Sequence, residues 1–150
     1  MDMNVEARIK TERPLPLPRR TIIHMLLVTH RINDSMAQAL KPFDVSLQQF
    51  NVLRILRGQK GQPANLSTLN ERMVSPMSNT TRLVDKLIAK GLVRRNTCPE
   101  NRRKVEIRLT EDGQTSLKEM DEAVACAERE LLAKFSQEDL RQLNILLDLI

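Results

Sequence analysis

From Arg19 to Leu40 apolar positions recur at helical spacing, with Ile22, Ile23, Leu26, Leu27, His30, Asn33 and Met36 on one broad face. Pro42 ends that run, because the residue before a proline is pushed out of helical geometry. Ahead of it, residues 1–18 read as an arm. Pro14, Pro16 and Pro18 alternate there with leucines, a spacing that excludes helix and favours extended, polyproline-like chain. Ser46 followed by Gln49 predicts a capping box, opening a helix with Leu47, Phe50, Leu53 and Leu56 on one side until Gly58, Gly61 and Pro63 break it. A short helix from about Ser67 to Met73 comes next. Ser75-Pro76 then reads as an N-cap with proline at the first helical position, starting a helix that runs to about Lys90. Leu83, Val84, Leu87 and Ile88 point inward from it, and Gly91 closes it.

After Gly91 the period falls to two. Leu92–Asn96 and Lys104–Leu109 predict strands, the second alternating Val105, Ile107 and Leu109 with Lys104, Glu106 and Arg108. Residues 97–103 between them form a polar hairpin loop. Thr110 caps a long helix whose first turn carries Glu111 and Asp112, favourable at the positive end of the helix dipole. Its apolar positions Leu117, Met120, Val124, Ala127 and Leu131 step by three and four, as a helix-packing seam does. Ser136 and Asp139 cap a last helix with Leu140, Leu143, Leu146, Leu147 and Ile150. The chain ends on apolar residues for which a lone copy has no obvious cover.

The order helix, helix, short helix, turn, helix, hairpin, helix, helix predicts a mainly α fold with one small β-hairpin. Residues 66–109 form a helix-turn-helix followed by a wing. In such a unit the second helix enters the major groove, about 12 Å wide, and its N-terminal side chains reach base edges. Here that helix offers Ser75, Met77, Ser78, Asn79 and Thr80, then Arg82 and Lys86 further along. Asn pairs with adenine in a bidentate way, and Arg with guanine or a phosphate. The wing offers Arg94, Arg95, Asn101, Arg102, Arg103 and Lys104, suited to phosphates or a narrow minor groove. A merely solvated charged hairpin is the plainer alternative.

Charge sharpens this picture. Residues 1–110 hold 20 Lys/Arg against 9 Asp/Glu, whereas residues 111–150 hold 4 against 10. A basic body with an acidic end suggests that one face meets a polyanion. The stretch from Arg72 to Arg108 is denser still, with ten cations against three anions. With no Trp or Tyr and only Phe43, Phe50 and Phe135, the chain lacks the stacking platforms of an RNA-binding module. An enzyme is not expected either. There is no Gly-rich phosphate loop, Gly-x-Ser-x-Gly elbow or metal-spaced cluster, and no cofactor is indicated. No apolar run approaches the roughly 20 residues that span a bilayer, and Cys98 and Cys126 make no disulfide framework, so a cytoplasmic protein is expected.

The run Arg82-Leu83-Val84-Asp85-Lys86-Leu87, then Lys90-Gly91-Leu92-Val93, then Asn101-x-Arg103 and Leu109-Thr110-x-x-Gly113 resembles the MarR family of bacterial regulators over about residues 20–150. The resemblance implies a homodimer on a pseudo-palindromic double-stranded operator, usually released by a small ligand or by oxidation. It divides residues 19–150 into a winged-helix DNA-binding part, 46–110, and dimerisation helices, 19–41 and 111–150. It places Asn79 and Arg82 at groove contacts and Arg103 in the minor groove. Family members usually carry Asp where this chain has Asn101, an acid that braces the wing by ion pairing. Asn101 is left with neutral hydrogen bonds.

The expected function is therefore a homodimeric, sequence-specific transcriptional repressor released by a ligand. A protein-interaction adaptor with the same fold and a thiol-based redox regulator are the alternatives. Arginines near Cys98 would favour its thiolate, but oxidant-sensing relatives carry their cysteine near the first helix, where this chain has none. Cys126, among alanines, reads as a small packed residue. His24 and His30 share no helical face, which argues against a metal site, and they are candidates to line an effector pocket. Whether the arm crosses to a partner, stays disordered, or adds Arg8, Lys10 and Arg13 to phosphates is left open.

Overall fold

The computed structural model describes residues 4–74 and 79–150. Apart from α1 and a 3-10 turn, its elements follow the expected order: α1 Val5–Arg8, α2 Leu17–Leu40, the 3-10 turn Lys41–Phe43, α3 Leu47–Gly58, α4 Leu66–Arg72, α5 Thr80–Ala89, β1 Val93–Cys98, β2 Asn101–Leu109, α6 Glu111–Leu131 and α7 Gln137–Leu147. The fold is mainly helical with one antiparallel hairpin. Helix α2 lies against α6, and α3 packs on α5, α6 and β2. One core joins them: Met36 and Leu40 from α2, Phe50 and Leu53 from α3, Val84 and Leu87 from α5, Ile107 from β2, and Leu117 and Met120 from α6.

Local chemistry sets most boundaries. Ser46 and Gln49 form the expected reciprocal box, and Ser136 and Asp139 form another. The Thr110 hydroxyl accepts the Gly113 N–H at 3.0 Å, opening α6. Asn65 opens α4, its side chain accepting the Thr68 N–H at 2.8 Å. Gly91 sits at φ 72°, the left-handed geometry that closes a helix at little steric cost to glycine.

The arm departs from its extended expectation. Asn4 caps a single turn, α1, whose Val5 is fully buried, and Glu6 pairs with Arg20 of α2 at 2.9 Å. The prolines do not exclude helix here. Pro16 is the N-cap of α2 and Pro18 lies in its first turn, where the missing N–H would have had no intrahelical partner anyway.

The hairpin is also longer than the alternation suggested. Strand pairing continues to Cys98 and Asn101, leaving only Pro99 and Glu100 at the turn. Register runs from Val93↔Leu109 to Thr97↔Val105 and then jumps to Cys98↔Asn101. Arg102, Arg103 and Lys104 therefore have no ladder partner on β1 and form a bulge, a device that bends and twists a strand. At the other end, Ala64 and Ile107 exchange backbone hydrogen bonds of 3.0 and 2.8 Å, tying the segment before α4 to the wing.

Two faces stay bare. Ile22 and Leu26 of α2 are more than half exposed, as are Ile145 and Leu146 of α7 and Leu149 and Ile150 beyond it. Cys126, expected to be packed, is exposed in this chain, with its Sγ 3.8 Å from Glu130 Oε1. Among the described residues, no helix is long and apolar enough to cross a membrane.

Candidate nucleic-acid interface

Helix α5 buries Leu83, Val84 and Leu87 and turns Thr81, Arg82, Asp85 and Lys86 outward. Arg82 and Lys86 lie one turn apart on that face. Asn79 is the N-cap of the described helix, exposed and without a side-chain capping bond. Ser75, Met77 and Ser78, and the Ser75-Pro76 cap, lie outside the described residues.

Thr80 has a different job from the one its position suggested. It is only 3% exposed, and its hydroxyl donates to Asn70 Oδ1 of α4. It fixes the angle between the two helices of the motif and cannot also reach a base edge. A small β-branched side chain with one hydroxyl fits that seam. Nothing in local periodicity distinguished it from its exposed neighbour Thr81.

The wing residues divide into braces and free cations. Arg95 donates to Asp85 Oδ1 at 2.9 Å, which ties β1 to the exposed face of α5 and neutralises the one acid there. Arg95 is thus held by Asp85, unlike the unpaired cations of the wing. Asp85 stood in the motif without a role, and only the fold brings the two together. Arg108 turns to the α3–α4 connection, where Nη1 donates to the Gly61 carbonyl, and Nη2 lies 3.7 Å from Glu106. The Asn101 side-chain oxygen accepts the Arg103 N–H at 3.1 Å, a neutral bond that shapes the bulge.

Arg82, Lys86, Arg94, Arg102, Arg103 and Lys104 are all exposed and have no ion-pair partner among the described residues. An unpaired cation is well hydrated in water, and a duplex phosphate offers it a partner while releasing counterions. The bulge puts three such side chains in succession at the hairpin tip.

His24 and His30 are not brought together. His24 is half-buried on α2, whereas His30 is exposed with its Nε2 3.3 Å from Asp34 of the next turn. Neither lines the two cavities that the end of α2 and the 3-10 turn form with α3, α5 and α6. Cys98 is half-buried in β1.

Comparison with known proteins supplies the context. The model of the MarR family matches residues 45–105. The transcriptional regulator PecS of Dickeya dadantii is 30% identical over 119 residues, covering 77% of this chain and 70% of its own. The transcriptional repressor IacR of Pseudomonas putida is 24% identical over 120 residues, covering 80% and 71%. The crystal structure of a MarR transcription factor from Planctomyces limnophilus superposes with a TM-score of 0.71 at 30% identity, over 92% of this chain and all of that one. An exposed recognition helix, a cationic wing and these likenesses agree: the chain belongs to the MarR family of DNA-binding transcription regulators, which are not enzymes.

Proposed function

We propose that the chain is a homodimeric repressor that binds a pseudo-palindromic operator through residues 46–110 and lets go when a small ligand binds. The observation that carries this reading is the free cation set on one α5 face and the wing tip. Such a set contributes phosphate affinity and base preference together. The uncovered apolar faces of α2 and α7 support the dimer, since burying Ile22, Leu26, Leu146 and Ile150 against a second copy removes them from water. A two-fold dimer would set two recognition helices roughly 34–36 Å apart, one turn of DNA. Repression is the activity of the relative IacR, and blocking an overlapping promoter is the simplest way to achieve it.

The test selects bound fragments from genomic DNA and maps the protected site. A palindrome with half-sites about one turn apart is expected, together with a dimer in sedimentation. Arg82→Ala should cost about 1–3 kcal/mol of operator affinity and relax base preference at one position of each half-site. A monomer, or a protein that captures no duplex at low salt, overturns the reading and favours an adaptor.

A further inference from the structure

Polar groups fasten helix α6 to the winged part of the chain at its start and again further along. At the start, the Thr110 N–H donates to the Leu92 carbonyl at 3.1 Å and the Thr110 hydroxyl to the Gly91 carbonyl at 2.6 Å. These bonds hold the first turn on the base of the wing. Three turns on, Arg57 of α3 grips Asp121 of α6. Its Nη1 donates to Asp121 Oδ2, and its Nη2 donates to Oδ1 at 3.3 Å. Two such bonds between planar groups fix orientation as well as distance, which a single ammonium contact does not. Arg57 also stands in the last turn of α3, where the helix dipole favours a cation.

Leu53 and Leu56 of α3 and Leu117, Met120 and Val124 of α6 share one buried core. Apolar burial holds the two helices together but is non-directional, so it resists a small rotation weakly. The start of α6 is the fulcrum of that rotation, and the Arg57–Asp121 pair is its stop. From Thr110 to Asp121 the helix rises roughly 16 Å, and α5 reaches about as far from the wing base to its own first turn. About 2 Å of play at the pair therefore moves the start of α5 by about 2 Å, and two such shifts across a dimer come to about one base-pair step. The two side chains are 45% and 35% exposed, so the pair adds little to stability, and its weight falls on geometry.

We propose that Arg57 and Asp121 are positioning residues: together they set the angle between the winged part and α6, and through it the half-site spacing that the protein accepts. The spacing role rests on the dimeric, DNA-binding reading above; the angle does not.

The test compares full-length wild type with Asp121→Asn and with Arg57→Lys, which keeps the charge but not the two-point grip. Residual dipolar couplings of the amides, measured without DNA, report the angle between α5 and α6. In the wild type both helices should fit one alignment. In each variant α5 should turn against α6 by more than about 5°, or show couplings averaged down relative to those of α6. Both variants should melt within about 4 °C of wild type. Affinity is then measured for the selected operator, for versions with half-sites one base pair closer or further apart, and for a single half-site. The wild type should lose about tenfold when the spacing changes and the variants no more than about threefold, with single half-site affinity within about twofold of wild type. Couplings that neither substitution changes overturn the angular role and the spacing role with it. Altered couplings with wild-type spacing discrimination overturn the spacing role. Equal losses on single half-sites and full operators overturn it too, and leave the pair a plain structural contact. Should the wild type bind no duplex, the regulator reading and the spacing role fail together, while the couplings still decide the angle.

Discussion

Gly113→Ala should destabilise the folded protein on the order of 3 kcal/mol, because the new methyl would occupy space that a backbone carbonyl already fills. A Cβ built on Gly113 lies 2.0 Å from the Leu92 oxygen and 3.0 Å from its carbon. No rotamer change relieves that contact, since the obstacle is main chain. The Leu92 carbonyl is also pinned: it accepts the Thr110 N–H at 3.1 Å, while the Thr110 hydroxyl donates to Gly91 O at 2.6 Å. This knot joins the end of α5, the base of the wing and the first turn of α6. Relieving the clash means pulling α6 off the wing and exposing Leu92 and Leu117, both buried. At fixed protein concentration the melting temperature should fall by roughly 6–12 °C. Gly58→Ala is the matched control. A Cβ there meets nothing within 4 Å, so alanine in that last turn should gain about 0.5–1 kcal/mol. If Gly113→Ala melts within about 2 °C of wild type, the packing of α6 against Leu92 is not as described.

The same knot shows which parts of this protein were legible in its sequence. Ser46 with Gln49, Ser136 with Asp139, and Thr110 with Gly113 all bond across three residues, and each was readable from spacing alone. Their common property is that both partners sit in one turn of chain. Missed features needed distant partners. The buried side of Thr80 is set by Asn70 on another helix, and the pairing of Arg95 by Asp85 on α5. The arm differs from its expectation for a related reason: prolines forbid a helix interior, but two of them stand at the start of α2, where the backbone tolerates them. Likewise, alternation placed the inner half of the hairpin correctly but could not see the register jump, because a bulge breaks the two-residue period. For the candidate site, residue types named a set of side chains that the fold sorts into exposed, unpaired ones and braced or buried ones. Asn79, Arg82, Lys86, Arg94 and the 102–104 run are the exposed ones, whereas Thr80 is buried and Arg95 is braced.

That division predicts how the wing should fail. Replacing Arg102, Arg103 and Lys104 together by alanine should leave melting nearly unchanged. The three side chains are exposed and unpaired across the ladder, and Asn101 bonds to the Arg103 main chain, which alanine retains. DNA binding should respond differently. In the proposed dimer two wings would present six such cations, so neutralising them should flatten the slope of log affinity against log salt by up to about five. At moderate salt the affinity should drop on the order of a hundredfold, for every duplex sequence alike where the contacts are to phosphates. Replacing only Arg102 and Arg103 by lysine separates the two ways a wing can dock. Lysine keeps the charge but lacks the planar, weakly hydrated guanidinium that suits a narrow minor groove. Recovery of nearly all affinity and slope would mean that the tip runs along phosphates. Recovery of slope without preference for narrow-groove sequences would mean that arginine enters the groove. A triple-alanine protein that keeps both its affinity and its salt slope would show that the bulge points away from DNA, and the cations of α5 would then have to carry the interaction alone.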